Sequence, residues 1–165
     1  VGPGACGALG YEGELAMVIG KRCRHVPKER AHEVIAGFMI CNDVSVRDWQ
    51  IRVPTFTMGK SFDTHCPLGP AIVTSDEVSD PHSLDVRTWV NGELRQEANT
   101  RDLIFSVPEI ISVISEGFTL QPGDVIATGT PAGAGVGYDP PRFLKPGDCV
   151  RIEITNVGIL ENTFK

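Results

Sequence analysis

The sequence Tyr11-Glu12-Gly13-Glu14-Leu15-Ala16-Met17-Val18-Ile19-Gly20 is the most informative stretch of the chain, because two carboxylates directly precede an apolar run. The apolar second half, closed by a glycine, predicts a buried β-strand. Side chains alternate along a strand, so Glu12 and Glu14 share one face, about 7 Å apart. Half-buried like charges repel each other and lose hydration, and a cation such as Mg²⁺ or Mn²⁺ would relieve both costs. Spacing alone leaves a second interpretation open, in which both glutamates lie on a solvated strand face.

Glycine and proline divide the rest of the sequence into short pieces, since the chain has 18 glycines and 12 prolines. Short pieces between turn residues favour strands over long helices. Residues 38–42 (FMICN) are a second apolar strand candidate. Asn91-Gly92, inside residues 87–96, is the strongest hairpin signal because both positions tolerate a positive φ. The sequence therefore predicts an α+β fold that is mainly β with a few short helices.

Two helices are predicted from their starting residues. The first covers residues 28–37, because the preceding Pro27 is pre-organised for the first turn of a helix. The second covers residues 108–116, where Ser106 and Glu109 have the spacing of a capping box. Both helices are short, as the mainly β interpretation requires.

The composition excludes several classes of function. The chain has 165 residues, enough for one domain with a single core, and 41% of them are hydrophobic. Its net charge of −6 gives no electrostatic support for nucleic-acid binding. No apolar run reaches the ~18 residues of a membrane span. Five cysteines without a Cys-x-x-Cys pair argue against a disulfide framework or a structural zinc site, and they favour the reducing cytoplasm.

The first ten residues, VGPGACGALG, are rich in glycine and do not begin with methionine. We expect residues 1–10 to form an N-terminal tail and residues 11–165 to form the folded domain. The missing initiator methionine also predicts that this chain is part of a longer protein.

Three further residues place reactive or charged side chains outside the predicted strands. Asp43 directly follows the strand at residues 38–42, a position where site residues often lie, although it could also cap the next element. Arg47 offers a two-pronged donor for a substrate carboxylate, or it could pair with Asp48 or another acid. Lys60 follows a glycine, which would allow a ligand to approach closely, although loop lysines are usually solvated.

The glycine-rich run at residues 128–137 is a candidate ligand loop. It lacks the G-x-G-x-x-G and G-K-[S/T] patterns of nucleotide-binding loops. It could still expose backbone amides and the Thr130 hydroxyl to an oxyanion or a carboxylate. We therefore expect this loop to contact an acidic group rather than a nucleotide.

Taken in order, several stretches of this sequence resemble the catalytic C-terminal domain of the fumarylacetoacetate hydrolase family. The resemblance extends over nearly the whole chain from Tyr11 onward, and the ordered motifs are far more specific than any one of them. The matching stretches are EGELAMVIG (12–20), NDVSVRDWQ (42–50), GKSFDT (59–64), VNGE (90–93), GDVIATGTP (123–131) and KPGD (145–148).

The resemblance implies a mixed β-sandwich roll, usually a homodimer, that binds one Mg²⁺ or, in some members, Mn²⁺ or Ca²⁺. The metal ligands that it implies are Glu12, Glu14 and Asp43. The catalytic residue that it implies is Lys60. The residues that it implies for contact with substrate carboxylate or carbonyl groups are Arg47, Gln50 and Thr130.

The resemblance also implies a substrate class. Family members act on 2-oxo acids and β-dicarbonyl compounds by C–C bond hydrolysis, decarboxylation, or keto–enol and double-bond isomerisation. The leading hypothesis is a Mg²⁺-dependent enzyme for such a compound, in which the metal polarises the carbonyl and Lys60 stabilises the enolate. A second hypothesis is an isomerase or hydratase of an unsaturated 2-oxo diacid in aromatic catabolism.

A third hypothesis is an inactive metal-binding or ligand-binding paralogue. Hydrolytic family members generally carry a His/Glu acid–base pair on a lid upstream of the Glu-x-Glu strand. Residues 1–10 contain neither His nor Glu. The sequence therefore predicts metal-promoted enolisation or decarboxylation more strongly than full hydrolase activity.

Overall fold

β2 (Gly13–Ile19) is the strand predicted from the Glu-x-Glu stretch, and it lies inside a four-stranded antiparallel sheet. The computed structural model describes residues 7–165. The other strands are β1 (Leu9–Gly10), β3 (Ile35–Asn42), β4 (Ser45–Val46), β5 (Leu68–Thr74), β6 (Asp85–Val90), β7 (Glu93–Asn99), β8 (Val125–Ala127), β9 (Cys149–Ile154) and β10 (Gly158–Thr163). The α-helices are α1 (Arg47–Gln50), α2 (Thr57–Lys60) and α3 (Val107–Gly117), and 3₁₀ turns cover Lys28–Val34, Thr100–Asp102 and Gly135–Gly137.

Two four-stranded sheets make the body of the protein. One has the strand order β5-β3-β2-β8 and the other has the order β10-β9-β6-β7. Apolar side chains from both sheets, among them Leu15 and Met17 of β2 and Ile152 of β9, form one buried core cluster. This arrangement confirms the predicted mainly β fold of sandwich type.

β2 is buried on both of its faces. Leu15, Met17 and Ile19 point into the core between the sheets. Ala16 and Val18 point the other way, into a second buried cluster. Burial on both faces explains why the strand is continuously apolar instead of alternating.

The helix predicted over residues 28–37 is wrong in type and in extent. Lys28–Val34 forms a 3₁₀ turn, and the strand predicted at residues 38–42 begins earlier, at Ile35. Pairing with β2 recruits these residues into the sheet, since Ile35 lies opposite Ile19. Gly37 lies within this strand, where only glycine fits, because a Cβ there would lie 2.2 Å from the Val73 carbonyl oxygen of β5.

Two other predictions are confirmed. β6 and β7 form a hairpin whose turn residues Asn91 and Gly92 have φ values of 51° and 82°. α3 carries the capping box, in which Ser106 accepts from the Glu109 amide while the Glu109 side chain accepts from the Ser106 amide.

The structure also bears on the expected N-terminal tail, on membrane spans and on the state of the cysteines. Residues 1–6 of the expected tail lie outside the described residues, whereas Leu9 and Gly10 form β1 and pair with β4. Within residues 7–165, no helix has the length and apolar character needed to cross a membrane. The cysteines in this range are all free, namely Cys23, Cys41, Cys66 and Cys149.

Candidate active site

Three carboxylates meet where β2 begins and β3 ends. Gly13 lies opposite Asn42, so the antiparallel register brings Asp43 beside Glu12, and the Asp43 amide donates to the Glu12 carbonyl at 2.9 Å. Each of Glu12, Glu14 and Asp43 offers one ligand oxygen, and these oxygens lie within 4.8 Å of one another. The residues that the sequence singled out as metal ligands are therefore brought together.

The solvated-strand interpretation of the two glutamates does not hold. Glu12 is 8% exposed and Glu14 is 4% exposed. Buried carboxylates need hydrogen bonds or opposite charges, and the site supplies both. The Asn42 side chain accepts from the Glu12 backbone amide at 3.1 Å, which fixes the backbone at Glu12.

Lys60, at the end of α2, lies among the carboxylates. Its ammonium donates to Glu12 Oε2 at 2.9 Å, to Ser45 Oγ at 2.9 Å and, at shorter range, to Asp43 Oδ2. Burial lowers the pKa of Lys60, but the hydrogen bonds to Asp43 and Glu12 outweigh that effect and raise the pKa above its ordinary value. Lys60 is therefore a charged ammonium at neutral pH, not a solvated loop lysine.

Arg47 and Gln50 come from the same helical turn, α1, and form the rim beside Glu12. The Arg47 guanidinium makes a short contact with Glu12 Oε1 and donates to Gln50 Oε1 at 2.9 Å. The sequence left open a pairing of Arg47 with Asp48, and the structure pairs it with Glu12 instead. The side chain of Arg47 is only 12% exposed, so this ion pair is largely shielded from solvent.

Glu14 is the least compensated carboxylate of the cluster. When all three carboxylates are ionised, the two cations Lys60 and Arg47 leave one net negative charge. Burial, followed by the charges of Asp43 and Glu12, raises the pKa of Glu14 to about 7, although a hydrogen bond from Gly129 opposes the shift. An additional cation would therefore be most strongly attracted at Glu14.

The glycine-rich loop contacts a carboxylate, and that carboxylate belongs to the protein itself. The Gly129 amide donates to Glu14 Oε2 at 2.7 Å. The Thr130 hydroxyl donates to the Gly13 carbonyl at 3.1 Å and accepts from the Gln96 side chain at 2.8 Å. Thr130 thus lies against the Glu-x-Glu strand, on the side opposite to β3.

Sequence reasoning missed three residues of the site, namely Asn42, Ser45 and Gln96. Asn42 and Ser45 flank Asp43, so their proximity was available from the sequence. Gln96 belongs to the other sheet and lies opposite Thr88 in the hairpin register. The Asn91-Gly92 turn alone would pair Thr88 with Arg95 and leave Gln96 on the outward face; a register shift between Thr88 and Trp89 turns Gln96 inward. The packing of the two sheets then brings it to Gly13.

A cavity of about 400 Å³ opens beside the cluster. Glu14 and residues 128–132 of the glycine-rich loop line it, together with Ile104 and Phe105. The cavity is large enough for a small organic acid, and it reaches the carboxylates through Glu14.

Comparisons with known families and proteins all point to one family. The profile of the family described as fumarylacetoacetate (FAA) hydrolase C-terminal matches residues 1–165. The oxaloacetate tautomerase YisK of Bacillus subtilis is 50% identical over 154 residues, which are 93% of this chain and 51% of that protein. This chain thus spans about half the length of the curated relatives it matches.

Solved structures agree with the sequence matches. A fumarylacetoacetate hydrolase from Exiguobacterium antarcticum superposes with a TM-score of 0.94 at 46% identity, over 98% of this chain and 58% of that one. A maleylpyruvate hydrolase from Sphingobium sp. SYK-6, in complex with manganese(II) and pyruvate, gives 0.84 at 43% identity, over 95% of this chain and 54% of that one. With its β-sandwich fold and a family match along its whole length, this chain belongs to the fumarylacetoacetate hydrolase C-terminal family.

Proposed function

We propose that this chain carries the catalytic site of a divalent-metal-dependent enzyme that interconverts the keto and enol forms of a small 2-oxo acid, with oxaloacetate as the first candidate. The observation that carries the proposal is the buried cluster of three carboxylates within 4.8 Å of one another, with a lysine ammonium among them. The 50% identity to an oxaloacetate tautomerase supports this choice of substrate and reaction.

The donor set fits a hard divalent cation. Carboxylate oxygens are the ligands that Mg²⁺, Mn²⁺ and Ca²⁺ prefer, and the net negative charge of the cluster favours a cation. Glu12, Glu14 and Asp43 would hold the ion. When bound, it would supply Lewis-acid polarisation of the substrate carbonyl. The complex of a similar hydrolase with manganese(II) and pyruvate supports this assignment.

Lys60 stabilises the negative charge that develops on the substrate when a proton leaves the carbon beside the carbonyl. A fixed ammonium in a half-buried site is more effective for this purpose than a mobile solvent dipole. Because Lys60 is protonated at neutral pH, it acts as a hydrogen-bond donor or an acid, and it is not the base that removes the proton.

Arg47 and Gln50 orient the substrate. The guanidinium lies at the rim of the cluster and is already held by Gln50 and Glu12, so little conformational entropy is lost when it binds a carboxylate. A rigid donor fork at this place favours substrates that carry a carboxylate next to the reacting carbonyl.

The test follows the decrease in the enol absorbance of oxaloacetate when the full-length protein is added. It is run once with Mg²⁺ and once with a chelator. We expect acceleration with the metal only. Glu12→Gln should abolish both the acceleration and Mn²⁺ binding, whereas Glu161→Gln, which makes the same charge change at an exposed position, should keep both.

Parallel assays follow pyruvate release from oxaloacetate and cleavage of an acylpyruvate, so that decarboxylation and hydrolysis are scored separately. Isomerisation of an unsaturated 2-oxo diacid is assayed in the same way. Mn²⁺ binding without turnover of any of these compounds would overturn the proposal in favour of a binding protein.

A further inference from the structure

Gln96 of β7 is the buried polar side chain that links the two sheets at the site. It is 1% exposed, and its amide makes three hydrogen bonds. Its Oε1 accepts from the Gly13 amide at 3.1 Å, and its Nε2 donates to Thr130 Oγ1 at 2.8 Å and to the Pro131 carbonyl at 2.9 Å. The two backbone partners fix the orientation of the amide, because Gly13 N–H can only donate and the Pro131 carbonyl can only accept.

Gln96 takes the place of a missing strand neighbour. β8 ends at Ala127, and its ladder with β2 reaches only as far as Ala16. Beyond that point the Gly13 amide is bonded to Gln96 Oε1, and the Gly13 carbonyl is bonded to the Thr130 hydroxyl. On the side where β8 is missing, the Gly13 amide and carbonyl are therefore held by side chains, whereas β3 still pairs with the other edge of β2.

Gln96 also sets the direction of the Thr130 hydroxyl. The Thr130 oxygen accepts from Gln96 Nε2, so its own proton is directed to the Gly13 carbonyl. This orientation ties the glycine-rich loop to β2, and the same loop supplies the Gly129 amide to Glu14. A single buried amide thus couples the ligand strand to the loop that binds one of the ligands.

We propose that Gln96 is a positioning residue for the metal centre, which fixes the Glu12-Gly13-Glu14 backbone and the Thr130 loop without touching metal or substrate. This inference rests on the proposed function of the carboxylate cluster. Outer partners that orient metal ligands typically change metal affinity or activity by about 10-fold to 100-fold when they are removed.

The test compares three variants of the full-length protein by Mn²⁺ titration and by oxaloacetate kinetics. Gln96→Met removes the amide at similar length, and we expect about 10-fold weaker Mn²⁺ binding. Gln96→Glu keeps the acceptor for Gly13 but loses the donor to Thr130. Because the Gly13 contact is kept, we expect the Mn²⁺ affinity of this variant to stay within about threefold of the parent protein. Because the Thr130 loop is released, we expect KM to rise about 10-fold.

The matched control is Ser115→Ala. Ser115 lies on α3 and is fully buried, and its hydroxyl accepts from the Val26 amide at 2.9 Å and donates to the Ser112 carbonyl at 3.0 Å. This variant removes a buried, hydrogen-bonded polar group away from the carboxylates, so its metal affinity and its kinetics should not change.

Wild-type values of Mn²⁺ affinity, kcat and KM in both Gln96 variants would overturn the proposal and leave Gln96 a packing residue. Equal losses in Ser115→Ala would also overturn it. If Gln96→Met does not fold, the contrast between affinity and KM in Gln96→Glu decides. Because metal titration needs no turnover, weaker Mn²⁺ binding in a protein inactive on oxaloacetate would support the positioning role while it refuted the proposed reaction.

Discussion

The hydroxyl of Thr88 occupies the position where a side chain on Gly13 would begin. A Cβ on Gly13 would lie 2.3 Å from Thr88 Oγ1, which is well inside van der Waals contact. Gly13, the residue between the two glutamates, is therefore a glycine because the second sheet packs directly against it. The sequence alone presents Gly13 only as a weak strand former.

Gly13→Ala should destabilise the fold and weaken the metal site. Overpacking in a buried region typically costs about 1–3 kcal/mol, and the displaced backbone carries both glutamates. Chemical denaturation measures the first effect and Mn²⁺ titration the second. Thr88→Ala removes the clashing oxygen, so the double variant should recover part of both losses. An alanine variant as stable as the parent protein would contradict this account of the packing.

The metal-free protein should lose stability as the pH rises from 4.5 to about 7. The pKa of Glu14 is raised from 4.5 to about 7 in the folded protein, mainly by burial. In this window the folded state holds a proton that the unfolded state has released, so a rise in pH favours unfolding. Thermal unfolding in a chelator measures the slope, and Glu14→Gln should flatten it. Mn²⁺ affinity should change in the opposite direction and strengthen as Glu14 ionises.

Lys60→Met should separate catalysis from metal binding. Removal of the ammonium leaves the cluster more negative, so Mn²⁺ should bind at least as tightly as in the parent protein. In the proposed reaction this ammonium stabilises the developing enolate, so its loss should lower turnover about 100-fold or more. Lys145→Met, at an exposed lysine, is the control. If metal affinity and turnover fell together, Lys60 would be part of the ligand framework instead.

Cys66 should be alkylated by iodoacetamide before Cys41. The two sulfur atoms lie 3.4 Å apart. The hydrogen bond from the Cys41 thiol lowers the pKa of Cys66 to about 7, against the effect of burial, and the thiolate is the reactive form. Peptide mass spectrometry at neutral pH gives the order of modification. Cys41→Ala removes the hydrogen bond and should slow the alkylation of Cys66, and an unchanged rate would argue against this thiol pair.

The sequence predicted the site residues whose positions follow from a single strand or from two strands that are consecutive in the chain. Glu12 and Glu14 share a face because of strand alternation, and Asp43 follows the strand that pairs with β2. The resemblance to a known family added Lys60 and Arg47, which spacing alone left as candidate surface residues. These residues now lie within one hydrogen-bonded cluster.

The rest depended on pairings between distant parts of the chain. The role of Gln96 arises from the packing of one sheet on the other, which no local pattern encodes. The helix predicted after Pro27 was wrong because pairing with β2 outweighed the local preference, and Ile35 joined the sheet. Contacts between distant parts of the chain thus account for both the missed Gln96 and the misassigned element.

The early end of β8 has a consequence for how such sites change over evolutionary time. A ligand strand held by backbone ladders can shift only if the whole register shifts with it. Where β8 stops, one side of Gly13 rests on the Gln96 amide and the Thr130 hydroxyl, which single codon changes can replace. The proposed metal site can therefore change along this edge in descendants of the protein while the sandwich stays intact.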